Sequence, residues 1–268
     1  MVPTDISPLR DRAYRMMMQV RPAPLVSLLK RALGVKRVGT ETKNGIFWVD
    51  PVSLIGRELL DKKIFEPDLT EQLKRILKPG QTFVDLGANE GYFTIIAGKA
   101  VGPAGRVLAI EPQNRLKPVI ERNAALNGLE NIIIDTSLVS DHRGTARLAL
   151  SADTNPGSTG TFNAALYPVR WQDVEADTLS AILDRHEISH VHCLKVDIEG
   201  SECEAILGSK NLFTNGRVGT IFIELHHSVL LSRGRAASEI VEFLKGSNFI
   251  QIWNSGDYQY AFQFSPTE

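Results

Sequence analysis

The segment Val84-Asp85-Leu86-Gly87-Ala88-Asn89-Glu90-Gly91 limits what this chain can fold into more than any other. An apolar run, Thr82-Phe83-Val84, ends in an acid. Two glycines follow four positions apart, and a helix-like pattern then begins. A strand that feeds a glycine-bearing turn into a helix N-terminus opens a Rossmann-like α/β fold and its nucleotide-cofactor site. Gly87 permits a tight turn where a Cβ would clash, and Gly91 lets the first helical turn lie against a ligand. The N–H groups at that helix start suit a carboxylate or phosphate.

The spacing is D-x-G-x-N-x-G, not G-x-G-x-x-G. Asn89 stands where a dinucleotide site has the glycine that admits a pyrophosphate. An amide there points to a ligand without one and argues against a dinucleotide oxidoreductase. S-adenosylmethionine fits, with adenosine at one end and a zwitterionic methionine at the other. Glu111 ends the next apolar run, twenty residues after Gly91, where an acid can accept hydrogen bonds from ribose hydroxyls. Asp85 is placed to orient the turn and reach the methionine ammonium. The competing reading is a purely structural turn with an N-capping Asn and a surface Glu.

At 268 residues, one α/β domain with an N-terminal extension is expected: residues 1–64 as a helical and hairpin extension, 65–268 as the Rossmann-like domain. Net charge is −1, so the whole chain is not a polyanion binder and no nucleic-acid partner is expected. Cys193 and Cys203 form no metal-like pair, and a reducing cytoplasm is the expected location. No apolar run is long enough to span a bilayer. The first 37 residues carry eight Lys or Arg against Asp5 and Asp11. They suit either a helix packed on the domain with a solvated basic face or a segment that touches membrane or an acidic partner.

The pattern predicts short strands at 36–40 and 46–50 around Lys43-Asn44-Gly45, a hairpin signal. Helices are predicted at 55–60 and 67–77. Strands at 82–86, 106–111 and 131–135 then alternate with helices at 91–100 and 114–126, the second ending at Asn127-Gly128. A strand follows at 145–150, and 151–161 reads as a long binding loop. A helix capped by Asp177 or Thr178, a buried strand at 190–196, a helix at 201–207 and a strand at 219–225 come next. A helix at 236–245 and a hairpin of 250–253 with 258–264 close the chain. Repeated β-α units imply a parallel, doubly wound sheet.

In such a sheet ligands bind at the carboxyl ends of the strands. Those ends carry Asp85, Glu111, Asp135-Thr136-Ser137, Asp197-Ile198-Glu199 and Glu224-Leu225-His226. Asp135, Thr136 and Ser137 would offer the adenine amino group an acceptor, with Leu138 packed on the ring; ordinary turn chemistry is the alternative. Asp197 and Glu199, two residues apart on an extended chain, share a side. They can take a proton from an acceptor hydroxyl, or hold a divalent cation, though a cation needs more oxygens than these two and is not favoured. The alternative is a structural set paired with Lys195. His226 is a candidate base, oriented by Glu224. Glu66 either meets the methionine ammonium or serves as a helix-start carboxylate before Pro67.

The chain resembles the FkbM-type methyltransferases. The resemblance rests on residues 83–94, Glu111-Pro112, Arg122-Asn123 with Asn127-Gly128, Leu194-Lys195-Val196-Asp197-Ile198-Glu199-Gly200-Ser201-Glu202 and Ile223-Glu224-Leu225-His226. It covers about residues 65–249. It implies a class I, Rossmann-like α/β enzyme with a doubly wound, mostly parallel seven-stranded sheet that uses S-adenosylmethionine, with Phe93, Thr94 and Pro112 at the cofactor beside the residues above. It also implies O-methylation of a hydroxyl on a small molecule, a polyketide or other secondary metabolite, or on a sugar. Thr178-Leu179-Ser180 departs from the family's usual Thr-Leu-Asp. A nucleic-acid methyltransferase, or a cofactor-binding module without catalysis, is the competing expectation. The sequence does not name the oligomeric state.

Overall fold

The computed structural model describes residues 6–20, 23–150 and 170–266. Helices α1 (Pro8–Gln19) and α2 (Ala23–Ala32) lead to a hairpin of β1 (Val38–Thr42) and β2 (Gly45–Val49), then α3 (Leu54–Asp61) and α4 (Pro67–Ile76). Alternation follows with β3 (Thr82–Leu86), α5 (Tyr92–Val101), β4 (Arg106–Ile110), α6 (Lys117–Leu126) and β5 (Ile132–Asp135). Three small strands come next: β6 (Leu138–Ser140), β7 (Gly144–Leu150) and β8 (Arg170–Thr178). Then come α7 (Leu179–Arg185), β9 (Val191–Val196), α8 (Glu202–Leu207), α9 (Lys210–Thr214) and β10 (Val218–Glu224). The chain closes with α10 (His227–Ser232), α11 (Ala237–Gly246), β11 (Phe249–Ser255) and β12 (Gln259–Phe264).

The central sheet has seven strands in the order β11-β12-β10-β9-β3-β4-β5. The neighbours from β10 to β5 pair in parallel, whereas β12 pairs antiparallel with both β10 and β11. The sheet is therefore mixed, with one reversed strand. Strand order turns back at β3, where β9 lies on one side and β4 on the other. That switch point is where an open α/β sheet leaves a crevice at its carboxyl edge.

The period-2 alternation of each strand splits the core into two layers. Val84, Leu86, Leu194, Val196, Ile221 and Ile223 face one layer, with α7, α8 and α11 against them. Phe83, Cys193 and Phe222 face the other, with α3, α4, α5 and the β2 residues Phe47 and Val49. Asp85 and Lys195 lie on this second face too, and they are register partners on adjacent strands. The β1–β2 hairpin is fastened to α6 by side-chain amides. Asn127 Oδ1 accepts from Ile46 N at 3.0 Å and Asn123 Oδ1 accepts from Trp48 N at 2.7 Å.

Two differences from the sequence reading have physical causes. A second sheet, β6-β8-β7, stands beside the first, and β8 was not expected. Its sequence alternates, but only Val174 and Ala176 are buried apolar residues, so the period-2 signal is dilute. Helices α9 and α10 are five and six residues long, too short for a 3.6-residue period to register. The proposed binding loop at 151–161 lies outside the described residues.

Candidate active site

Two cavities open at the carboxyl edge, and both touch Gly87, Asn89, Asp197 and Glu199. One, about 630 Å³, runs between Glu111, Pro112, Gln113, Ser137 and Leu138. The other, about 770 Å³, runs between Phe65, Glu66, Phe93, Lys195, Glu224 and the α3 residues Leu54 and Ile55. Asp197 and Glu199 mark the point where they meet.

The turn after β3 is shaped by close backbone crossing. Gly87 has φ +81°, and a Cβ there would sit 1.8 Å from the Asp197 carbonyl oxygen. Asn89 follows in the left-handed region at φ +50°, which Asn tolerates better than most residues. Its N–H donates to Glu111 Oε2 at 2.8 Å, and Gln113 N donates to Glu111 Oε1 at 3.0 Å. Burial pushes the Glu111 carboxyl up, against those two donors. Each oxygen keeps a second lone pair for a ligand hydroxyl. Asn89 Oδ1 is buried without a hydrogen-bond partner among the described residues. A buried acceptor left open at a cavity wall fits a ligand that brings a donor.

Several residues assigned to the cofactor face elsewhere. Asp85 is fully buried behind the turn; it accepts from Thr94 Oγ1 at 2.6 Å and lies 3.6 Å from Lys195 Nζ. It lines neither cavity, and Lys195 lies beside it. Thr94 is consumed by that contact. Gly91 turns toward α6, where a Cβ would lie 3.2 Å from Ile120, so its glycine serves helix packing. Thr136 lines neither cavity. Asp135, offered as an adenine partner, is taken by Arg185 and His186 at 2.8 and 2.7 Å and by Ser137 N at 2.8 Å. Burial works against its ionisation, but those hydrogen bonds prevail and bring its pKa down to about 2. Glu66, Gly87, Asn89, Phe93, Glu111, Pro112, Ser137, Leu138 and Asp197 do line the cavities.

Lys195 is the fixed cation of the site. It is buried, donates to Asp197 Oδ2 at 3.2 Å, and sits 5.3 Å from the Phe93 ring centroid. Burial disfavours its charge, but Asp197, Asp85 and Glu66 outweigh that and raise its pKa. It pairs with Asp197 and not with Glu199. Glu66, in the left-handed region at φ +39°, faces the same cavity. Burial, then the charges of Asp197 and Glu224, push its carboxyl up to about 7, with Lys195 and the Gln259 hydrogen bond opposing. Gln259 Nε2 donates to both Glu66 and Glu224 at 3.0 Å. Gln259 is the cross-strand neighbour of Glu224, a link invisible before the β10–β12 register is known.

After β9 the chain is not extended. Glu199 at φ +54° and Gly200 at φ +98° are consecutive left-handed residues, and they turn the chain back. So Asp197 and Glu199 share the cleft because of a turn, and not because of strand alternation. A Cβ on Gly200 would lie 2.3 Å from Val229 of α10. The turn brings Glu202 beneath His226. Glu202 is wholly buried; its Oε1 accepts from His226 Nδ1 at 2.8 Å and from Gly200 N at 2.9 Å. Glu202, and not Glu224, therefore orients the ring. The sequence marked its motif but gave it no role, since only the turn reveals where it points.

With Nδ1 held, His226 Nε2 faces the cleft. Glu199, Glu224 and Asp197 stand 3.6, 3.7 and 4.0 Å from it. Burial lowers the imidazole's proton affinity, but the Glu202 hydrogen bond and the charges of Glu202, Glu199 and Asp197 prevail and lift its pKa to about 9. Burial raises Glu199 to about 7; His226 opposes and Asp197, Glu224 and Glu202 assist. Asp197, Glu199 and His226 offer ligand atoms within 4.8 Å of one another. That spacing suits one shared proton, one hydroxyl or one cation.

A family model described as Methyltransferase FkbM domain matches residues 85–259, more than half of the chain. The chain belongs to the FkbM methyltransferase family. It is thus a methyltransferase that depends on S-adenosylmethionine, and the match spans the glycine turn, the β9 turn and His226. No curated protein matches it in sequence. Among solved structures it is similar to a SAM-dependent O-methyltransferase from Thermotoga maritima, at 14% identity and TM-score 0.45, covering 87% of this chain and 88% of that one. A SAM-dependent methyltransferase from Aquifex aeolicus gives 15%, 0.43, 76% and 90%. Aeropyrum pernix fibrillarin with natively bound S-adenosyl-L-methionine gives 14%, 0.40, 73% and 72%.

Proposed function

We propose that this FkbM methyltransferase moves its methyl group to a hydroxyl of a small molecule, a polyketide-like metabolite or a sugar. Adenosine would take the cavity bordered by Glu111, Ser137 and Leu138, with the ribose hydroxyls on Glu111. The methionine would take the cavity of Glu66, Phe93 and Lys195, its ammonium near Glu66 and its carboxylate near Lys195. The reactive carbon would then lie by Asp197 and Glu199. The donor, once bound, supplies an electrophilic carbon on a cationic sulfur.

The observation that carries the reading is the Glu202–His226 pair with Nε2 aimed at that point. Methyl transfer is an in-line displacement, so the protein's first task is alignment of the acceptor oxygen. Glu199 and Glu224 can hold neighbouring hydroxyls while Nε2 accepts the proton of the reacting one. As the acceptor oxygen bonds to the methyl carbon and the carbon–sulfur bond breaks, with S-adenosylhomocysteine leaving, the hydroxyl proton would pass to Nε2 and Glu202 would balance the imidazolium. In the free enzyme His226 binds its proton tightly. With a cationic donor bound beside Asp197 and Glu199, His226 would give up that proton more readily, its pKa brought toward a working value. The acceptor mouth presents Asp197, Glu199 and Glu224, an arrangement hostile to a phosphate backbone. This favours a neutral polyol over a nucleic acid.

The test is incubation with methyl-labelled S-adenosylmethionine and a panel of sugars and hydroxylated macrocycles, read by mass spectrometry. Label on oxygen in one class, lost in His226→Ala, is expected. Label only on nitrogen, carbon or RNA would overturn the proposal.

A further inference from the structure

The N-terminal helix pair is two-sided. Its inner side packs on the domain: Met17 and Val26 pack with Val52, and Lys30 pairs with Asp50. Asp11, and Asp61 of α3, pair with Arg15 and Arg57 at the edge of this contact. Its outer side is different. Leu9, Met16, Leu25, Leu28 and Leu33 are 80%, 63%, 43%, 61% and 64% exposed. Arg10, Arg12, Arg31 and Lys36 are exposed beside them, and none makes an ion pair among the described residues. Leu9, Arg12 and Met16 share one helix face by their spacing, as do Leu25, Leu28 and Arg31. Residues 6–40 contain no acid other than Asp11, so the segment itself carries a large excess of positive charge.

We infer that the outer face of α1 and α2 docks on an anionic lipid bilayer. Large apolar side chains interleaved with unpaired cations are what an interfacial helix presents to headgroups and acyl chains. Charge selects the bilayer over a second copy of this chain. A two-fold interface would set each patch against itself, cation against cation. The pair packs on the segment that leads to the cleft: Val52 lies under it, and Leu54 and Ile55, two and three residues on, line the cavity beside Glu66. Docking there holds the cleft mouth near the membrane surface. The inference does not depend on which acceptor the site takes.

The test is co-sedimentation of the full chain with phosphatidylglycerol–phosphatidylcholine vesicles and with phosphatidylcholine vesicles alone. Binding to the anionic vesicles only, weakening with salt, is expected. Neutralising Arg12 and Arg31 to Gln should lower the partition coefficient about fivefold per cation. Leu25→Ser with Leu28→Ser should abolish binding, while circular dichroism and basal activity stay unchanged. Absence of sedimentation, equal binding to neutral vesicles, or binding untouched by these variants would overturn the inference. So would light scattering that shows a dimer dissolved by the Leu25 and Leu28 changes.

Discussion

Replacing Glu202 by Gln removes one charge from behind His226 while keeping size and shape. The pair is 2.8 Å apart and Glu202 is wholly buried. A hydrogen bond to a charged group is worth roughly 1.5–3 kcal/mol, and one pH unit corresponds to about 1.4 kcal/mol. The His226 pKa should therefore fall from about 9 by about one to two pH units in the variant. It should not drop the whole way to the ordinary value, because Glu199, Glu224 and Asp197 still face Nε2. In rates, kcat/KM reports the free enzyme. Its rising limb should move from about 9 toward neutrality, and the plateau should drop on the order of tenfold to a hundredfold as the base weakens and its ring loses its anchor. An NMR titration of the His226 ring follows the same shift without turnover. A limb and a ring pKa that stay near 9, or an unchanged plateau, would refute the claim that Glu202 sets the base.

Other consequences follow from the same geometry. Lys195→Met strands Asp85 in the core and should cost about 3–5 kcal/mol in urea denaturation, with Asp85→Asn added to it recovering part. Gly200→Ala meets Val229 at a positive φ and should lower Tm by several degrees, by calorimetry, with activity lost beyond that. Asn89→Ala should weaken donor binding about tenfold by titration calorimetry, as expected for one lost hydrogen bond. Glu66 and Glu199 are raised from 4.5 to about 7, so their contribution to stability is present below 4.5 and lost as pH climbs through 7. His226, raised from 6.5 to about 9, loses its contribution between those values. The unliganded protein should thus be most stable in weak acid and soften steadily toward pH 9. A Tm that rises over that range would contradict this.

The β3 turn was legible because it is local: an acid, glycines at fixed spacing, a strand before and a helix after; the β9 motif showed its acids but not the turn that gathers them. Gly87, Asn89 and Glu111 needed no long-range knowledge. What was hidden depended on contacts between distant strands. Asp85 was expected to face the ligand, but it lies buried beside its register partner Lys195. Gly91 was assigned to the ligand because sequence cannot show Ile120 waiting on α6. Glu202 escaped because two positive φ angles redirect the chain, and Gln259 because its partner Glu224 lies across an antiparallel pair. The mixed strand order was suggested by the closing hairpin, but β8 was missed for want of apolar side chains.

A crystal structure with S-adenosylhomocysteine bound tests the central claim most directly. The sulfur should lie beside Asp197 and Glu199, roughly 6–8 Å from His226 Nε2, which leaves room for a methyl group and one acceptor oxygen. The ribose should bridge to Glu111. A sulfur turned away from His226, or a nucleoside outside the two cavities that meet at Asp197, would contradict it.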